Sequence, residues 1–238
     1  MKPVAIFRFA RTEGPGHFAT FLAAHDLDFR VVRLDEGEPV PGDSTEFAGM
    51  GFMGGPMSAN DELPWTPALL ELIRDGAAKS IPMIGHCLGG QLMSRALGGA
   101  VTRNAVKEIG WVRIDAERNA RAREWLGEGV TQFESFQWHE DTFAIPPAAE
   151  RILTGKTCAN QGYVLGDLHL GMQCHVEMDA EMIDTWCHAG RAELEESLGT
   201  SPVVQDAATI RRLMGRHLSA LTHTANHLYT RWIRGLAR

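Results

Sequence analysis

The 238-residue chain has no apolar run approaching the ~20 residues that span a bilayer. Its N-terminus, MKPVAIFRFAR, offers only the stretch from Pro3 to Phe7 before Arg8 interrupts it. That is too short for a signal-peptide core and points to a cytoplasmic protein. Positive charge is not in excess: 23 Lys and Arg against 30 Asp and Glu leave a formal net charge of −7. A general grip on nucleic acid is excluded, because neutralising phosphates needs clustered cations. Cysteine is scarce, at four residues with no C-x-x-C, so Cys87, Cys158, Cys174 and Cys187 are expected as reduced thiols that matter, if at all, by reactivity.

Other signatures are missing too. The loop RTEGPG lacks both G-x-G-x-x-G and a Lys-Ser/Thr pair, so nucleotide binding has no support, although the loop can help wall a pocket at the sheet's active edge. The Cys/His pairs 86–87 and 174–175 are adjacent in sequence, and neighbours on an extended strand point to opposite faces. No metal site is expected from them, nor from His223 and His227, which stand at i,i+4 without a third ligand. No cofactor is expected either.

What is present is ordinary globular usage, 44% hydrophobic and 22% charged, in a chain whose length fits one domain over residues 1–238. Apolar runs at Val4–Phe7, Phe29–Leu34, Phe47–Met53 and Ile81–Ile84 read as strands, with helical stretches at His17–Ala24, Pro64–Asp75 and Gln91–Leu97 between or after them. This alternation predicts βαβ units and a mostly parallel sheet. Strand patterns follow at 109–114, 130–140, 151–155, 162–166 and 168–177. Beyond Asp179 the pattern is helical; Met214, Leu218, Leu221, Ala225, Leu228 and Trp232 make one helix face. That face predicts either a cover for the sheet or a homodimer contact.

At the end of one strand stands Gly85-His86-Cys87-Leu88-Gly89, a G-x-nucleophile-x-G pattern between an apolar strand and a helix. Such an elbow holds the nucleophile up on a sharp, strained turn, and the glycines let backbones approach. The helix behind it aims free N–H groups at the sulfur, which favours negative charge there. A thiolate then needs a histidine to move protons and a carboxylate to orient it. His175 and Glu177, two apart on the strand 168–177, share a face, and Gln173 joins them. A third element, Gly54-Gly55-Pro56, ends a strand and can hold an N–H outward, pairing with that of Leu88 as an oxyanion hole.

These three motifs, Gly54 to Ser58, Gly85 to Gln91 and Gly171 to Glu177, resemble in order those of the class I, or triad, glutamine amidotransferases, among them the stand-alone proteins similar to the glutaminase domain of GMP synthase. The resemblance implies a flavodoxin-like α/β fold with a mixed sheet, a catalytic core over about 1–180 and a helical extension over about 180–238. It implies Cys87 as the nucleophile toward the side-chain amide of L-glutamine, His175 and Glu177 as its partners, Gly55 and Leu88 as oxyanion donors, and substrate contacts from Gly54, Gln91, Gln137, Trp138 and His139. Val176 stands where the family commonly has proline, and Cys174 replaces an aromatic residue; neither removes a chemical group. Family members pass ammonia to a synthase, and no synthase module lies in these residues, so either a partner chain accepts the ammonia or the enzyme works alone. Two other functions compete: hydrolysis of γ-glutamyl peptides through the same thioester, and a non-catalytic binding module that keeps the fold.

Overall fold

The computed structural model describes residues 1–236. The elements run β1 (Val4–Arg8), α1 (Gly16–Ala24), β2 (Phe29–Arg33), β3 (Gly49–Phe52), α2 (Thr66–Ala78), β4 (Met83–His86), α3 (Leu88–Ala96), β5 (Val101–Ala116), α4 (Ala120–Leu126), β6 (Gln132–Phe143), β7 (Ala149–Gly155), β8 (Gly162–Leu165), β9 (His169–Met172), α5 (Ala180–Ala189), α6 (Arg191–Ser197) and α7 (Ala207–Ile233). The strands form one sheet in the order β2-β1-β3-β4-β9-β8-β7-β5-β6. Neighbours from β2 through β9 are parallel, and those from β9 through β6 antiparallel, so the sheet is mixed, as expected.

The parallel part is buried on both faces, which is why its strands read as continuous apolar runs rather than alternating ones. In β1, Val4 and Ile6 enter one core with α1, α4, α5 and α7; Ala5 and Phe7 enter the other with α2 and α3. Helix starts are chemically marked. The side chains of Asn119, Asp179 and Asp206 accept hydrogen bonds from the N–H groups of Ala122, Met182 and Thr209 at 2.8, 2.8 and 2.7 Å. Each cap is worth about 1 kcal/mol.

Helix α7 packs on β5, β6, α1, α4 and α5, with Leu221, Ala225, Leu228, Tyr229 and Trp232 buried. Its apolar face therefore covers this protein's own sheet, which removes the reason for expecting a dimer through it. No helix among the described residues is long and apolar enough to cross a membrane.

Two expectations are corrected. Helix α3 begins at Leu88, directly behind Cys87, rather than at Gln91. Strand β9 ends at Met172, three residues before His175, so His175 and Glu177 do not sit on one regular strand face. The chain there turns toward β6, where His175 N donates to Phe136 O at 3.0 Å, and Gln173 N bonds Gln161 O at 3.0 Å.

Candidate active site

The parallel strands deliver four segments to one rim of the sheet: the turn after β1, the glycine loop after β3, Cys87 after β4 and residues 173–179 after β9. Carboxyl ends of parallel strands are where such sheets build sites. Cys87 has φ 49° and ψ −109°, a conformation that costs a residue with a side chain about 1–3 kcal/mol and persists only when the surroundings impose it. The surroundings are backbone. A Cβ on Gly85 would lie 2.6 Å from Gly89 C, one on Gly89 2.6 Å from Phe52 C, and one on Gly90 2.9 Å from Met172 N. Three glycines thus let β4, α3, β3 and β9 close on the turn, and Cys87 N is tied to Met172 O at 2.8 Å.

Cys87 is buried, with Gln173 Nε2 donating to its sulfur at 3.5 Å. Beside it His175 Nδ1 donates to Glu177 Oε1 at 2.6 Å, both side chains enclosed. The two residues converge although their strand has ended, because the His175 backbone is pinned to Phe136 and that of Glu177 to α1. The His17 N–H donates to Glu177 O at 2.8 Å, and Gly16, at φ 46°, has no Cβ to collide with the Glu177 carbonyl group. The Gly14-Pro15-Gly16 stretch therefore serves to dock a helix end against the carboxylate's backbone.

Burial pulls the His175 imidazole toward the neutral form. The negative charge of Glu177 and the hydrogen bond it accepts outweigh it, holding His175 well above its ordinary pKa. For Glu177, burial opposes ionisation, but the His175 charge and the hydrogen bond from its ring keep it below its ordinary value. His175 Nε2 has no hydrogen-bond partner among the described residues, and the ring borders the cavity. An imidazolium with one free N–H beside a cysteine sulfur can protonate a departing atom and later take a proton from water.

The N–H groups of Gly55 and Leu88, expected as an oxyanion hole, donate to no other group among the described residues. A Cβ on Gly55 would fall 2.6 Å from Leu88 Cδ2, so a glycine there leaves room for the Leu88 side chain, and both residues border the same cavity as Cys87. A cavity of about 660 Å³ opens above them, bordered by Cys87, Leu88, Gly55, Gln91, His175 and, farther out, Trp138, Trp186, Gly190 and Glu193.

The profile of the family described as glutamine amidotransferase class-I matches residues 19–186. The chain belongs to the class I glutamine amidotransferase family. The crystal structure of a glutamine amidotransferase from Methylobacillus flagellatus is 48% identical and superposes with a TM-score of 0.97 over 100% of this chain and 96% of that one. The glutamine amidotransferase-like protein YfeJ of Salmonella typhimurium is 28% identical over 70% of this chain and 72% of its own length. One of the subunits of the glutamine-hydrolysing GMP synthase of Sulfurisphaera tokodaii is 32% identical over 53% of this chain and 65% of its own length.

In this family member the remaining expected contacts divide. Gln91 borders the cavity and donates to Asp141 O at 3.3 Å and Gln173 Oε1 at 3.2 Å. Trp138 and His139 border it as well. Gly54 lies against the His175 ring, 3.0 Å from Cε1 at the point a Cβ would occupy. Gln137 does not border the cavity: its side chain is fully buried and donates to Gln161 Oε1 at 3.0 Å. Gln161 continues to Glu108, which sits 2.9 Å from His139 Nε2 and also accepts from Thr157. Glu108, His139 and Cys158 have possible ligand atoms within 4.8 Å of one another, but hydrogen bonds inside the protein already engage all three, and burial pushes the Cys158 thiol up to about 11. They form a polar core that props the His139–Asp141 lip of the cavity.

Several residues at the site carry no pattern in the sequence. Trp186 of α5 stands edge-on to the His175 ring at 4.8 Å between centroids and donates to Thr12 O at 2.7 Å. Tyr229 of α7 hydrogen-bonds His86 Nε2 at 3.1 Å, and His86 Nε2 lies 3.9 Å from Glu177 Oε2, so the C-terminal helix buttresses the carboxylate from behind. Glu13, from the turn after β1, also borders the cavity.

Proposed function

We propose that this chain hydrolyses the side-chain amide of L-glutamine to glutamate and ammonia through a γ-glutamyl thioester on Cys87. The observation that carries the reading is the strained Cys87 elbow opening, with the charged His175–Glu177 pair and two uncommitted N–H groups, onto one cavity. The sulfur attacks the amide carbon, and the oxygen takes up negative charge facing the Gly55 and Leu88 N–H groups. His175 gives its Nε2 proton to the nitrogen, the C–N bond breaks and ammonia leaves. Water then attacks the thioester, His175 takes its proton, and the C–S bond breaks to restore the sulfur anion. Glu177 keeps the imidazole in the orientation and charge state both steps need.

Gly54, Gln91, Trp138 and His139 are the contacts proposed for the glutamyl portion. L-glutamine is the substrate proposed, and the ammonia goes either to water or to a synthase chain that docks at the cavity mouth. A second reading has support of its own. The cavity continues past the sulfur to Gly190, Ala192 and Glu193 at the α5–α6 junction, which leaves room for a γ-glutamyl peptide or amine whose leaving group is larger than ammonia. A non-catalytic module is disfavoured because no chemical group of the thiol mechanism is missing.

The two enzymatic readings separate by kcat/KM on L-glutamine and on γ-glutamyl dipeptides, with glutamate and free amine measured. Preference for glutamine supports the first, preference for dipeptides the second. Turnover of neither, with no labelling of Cys87 by a glutamine-analogue electrophile, overturns both.

A further inference from the structure

Glu13 is a carboxylate with no assigned task in the thiol mechanism, yet it faces the reacting groups. Its Oε2 lies 2.5 Å from the point where a Cβ at residue 54 would sit, and His175 Cε1 lies 3.0 Å from the same point. Only the absence of a side chain at Gly54 lets the carboxylate and the imidazole edge share that gap. The Glu13 side chain makes no hydrogen bond or ion pair among the described residues, although basic side chains elsewhere on the surface are paired. Its turn is nonetheless fixed: Glu13 N donates to Ala10 O at 3.0 Å, and Thr12 O accepts from Trp186 Nε1 at 2.7 Å.

The imidazole geometry says what that carboxyl meets. Nδ1 of His175 is committed to Glu177, so the departing nitrogen must come to Nε2 to be protonated, and Cε1, beside which Glu13 lies, is bonded to both ring nitrogens. With the Nδ1 side closed by Glu177, and with Glu13, Cys87 and His175 all bordering one cavity, the carboxyl beside this ring edge faces the space into which the nitrogen leaves. We propose that Glu13 is the leaving-group residue of the site, which protonates the released ammonia or amine and holds the resulting cation. This inference rests on the thioester reading above.

The proton balance closes without any further reactant. His175 supplies one proton as the C–N bond breaks, giving neutral ammonia; the Glu13 carboxyl supplies a second, giving ammonium paired with its own carboxylate. Water cleaves the thioester with its proton passing to His175, and the carboxylic acid formed loses its proton back to Glu13. The sum is amide plus water to carboxylate plus ammonium. Burial pushes the Glu13 carboxyl up to about 7, the His175 charge pulling it down and the Glu177 charge pushing it up, so both forms are accessible near neutrality.

The test is Glu13→Gln assayed on L-glutamine and on the γ-methyl ester of glutamate, whose leaving group, methanol, never becomes a cation. The expected result is a fall of about tenfold to a hundredfold in kcat/KM for glutamine, with the ester changed less than about threefold. By microscopic reversibility, thioester loaded from the ester in the presence of ammonium must partition to glutamine, relative to glutamate, less in the variant by a similar factor. Both ratios are independent of the fraction of variant that folds. An equal loss on the two substrates overturns the assignment and makes Glu13 structural or a contact to the α-ammonium, which both substrates carry. An unchanged partition ratio overturns it too. Wild-type protein that turns over neither substrate contradicts the thioester reading itself, a distinct outcome.

Discussion

Replacing Glu177 by Gln removes one charge from a buried pair while preserving shape. At 2.6 Å, opposite unit charges attract by about 6 kcal/mol at an effective dielectric constant near 20, and desolvating both takes back a large part. Losing one partner of such a pair costs about 3 kcal/mol. The dependence on pH has a definite sign. His175 is held above its ordinary value of 6.5, so its contribution is complete below that pH and is lost as pH rises through the raised native value. Glu177 is held below its ordinary 4.5, so its contribution exists above that pH and is lost as acid approaches the depressed native value. The stability deficit of the variant, read from urea unfolding, is therefore greatest near pH 6 and shrinks on the alkaline side. Turnover falls about a hundredfold or more, because burial now returns His175 to the neutral form. A variant matching the wild type in stability near pH 6 and within twofold in kcat would refute the reasoning.

Gly89→Ala is expected to destabilise by about 3 kcal/mol or more, because its Cβ overlaps the Phe52 backbone, whereas Gly215→Ala, on the exposed side of helix α7 with open space around it, stabilises by about 0.5–1 kcal/mol; thermal unfolding of both checks the pair. Equal effects would contradict the close backbone approach at the elbow. Tyr229→Phe leaves His86 Nε2 buried without its partner, costing about 1–3 kcal/mol in urea unfolding, while turnover stays within about threefold because Glu177 keeps its bond to His175. No loss of stability would mean that α7 does not support the site through this contact.

Much of this architecture is legible in the sequence because burial on both sheet faces leaves apolar runs, as in Val4–Phe7, and because three glycine-marked strand ends carry the site's motifs. The start of α3 is not legible. Gly89 and Gly90 are poor helix formers and read as loop, yet tertiary packing requires them where backbones come within van der Waals contact. The end of β9 is hidden for a related reason: His175 and Glu177 converge through tethers to Phe136 and His17, from β6 and α1, and local alternation cannot reveal such partners. The α7 stripe is visible by its three-four spacing, but only packing shows that it faces β5 and β6 rather than another copy of the chain. Trp186 and Tyr229 are single residues far from the motifs in sequence, and nothing in their neighbourhoods marks them; Glu13 lies in the RTEGPG loop, which reads as a pocket wall, but no pattern singles out its carboxyl.

The central claim is that the sulfur of Cys87 becomes covalently bonded to the γ-carbonyl of a glutamyl substrate. Intact-mass measurement of protein quenched in acid during turnover of L-glutamine, with peptide mapping of the adduct, tests it directly. The account predicts a γ-glutamyl adduct confined to Cys87, enriched in His175→Ala if that variant still acylates from the γ-methyl ester, and absent from Cys87→Ala along with ammonia release. Ammonia release that persists in Cys87→Ala, or an adduct on Cys158, Cys174 or Cys187 instead, would contradict it.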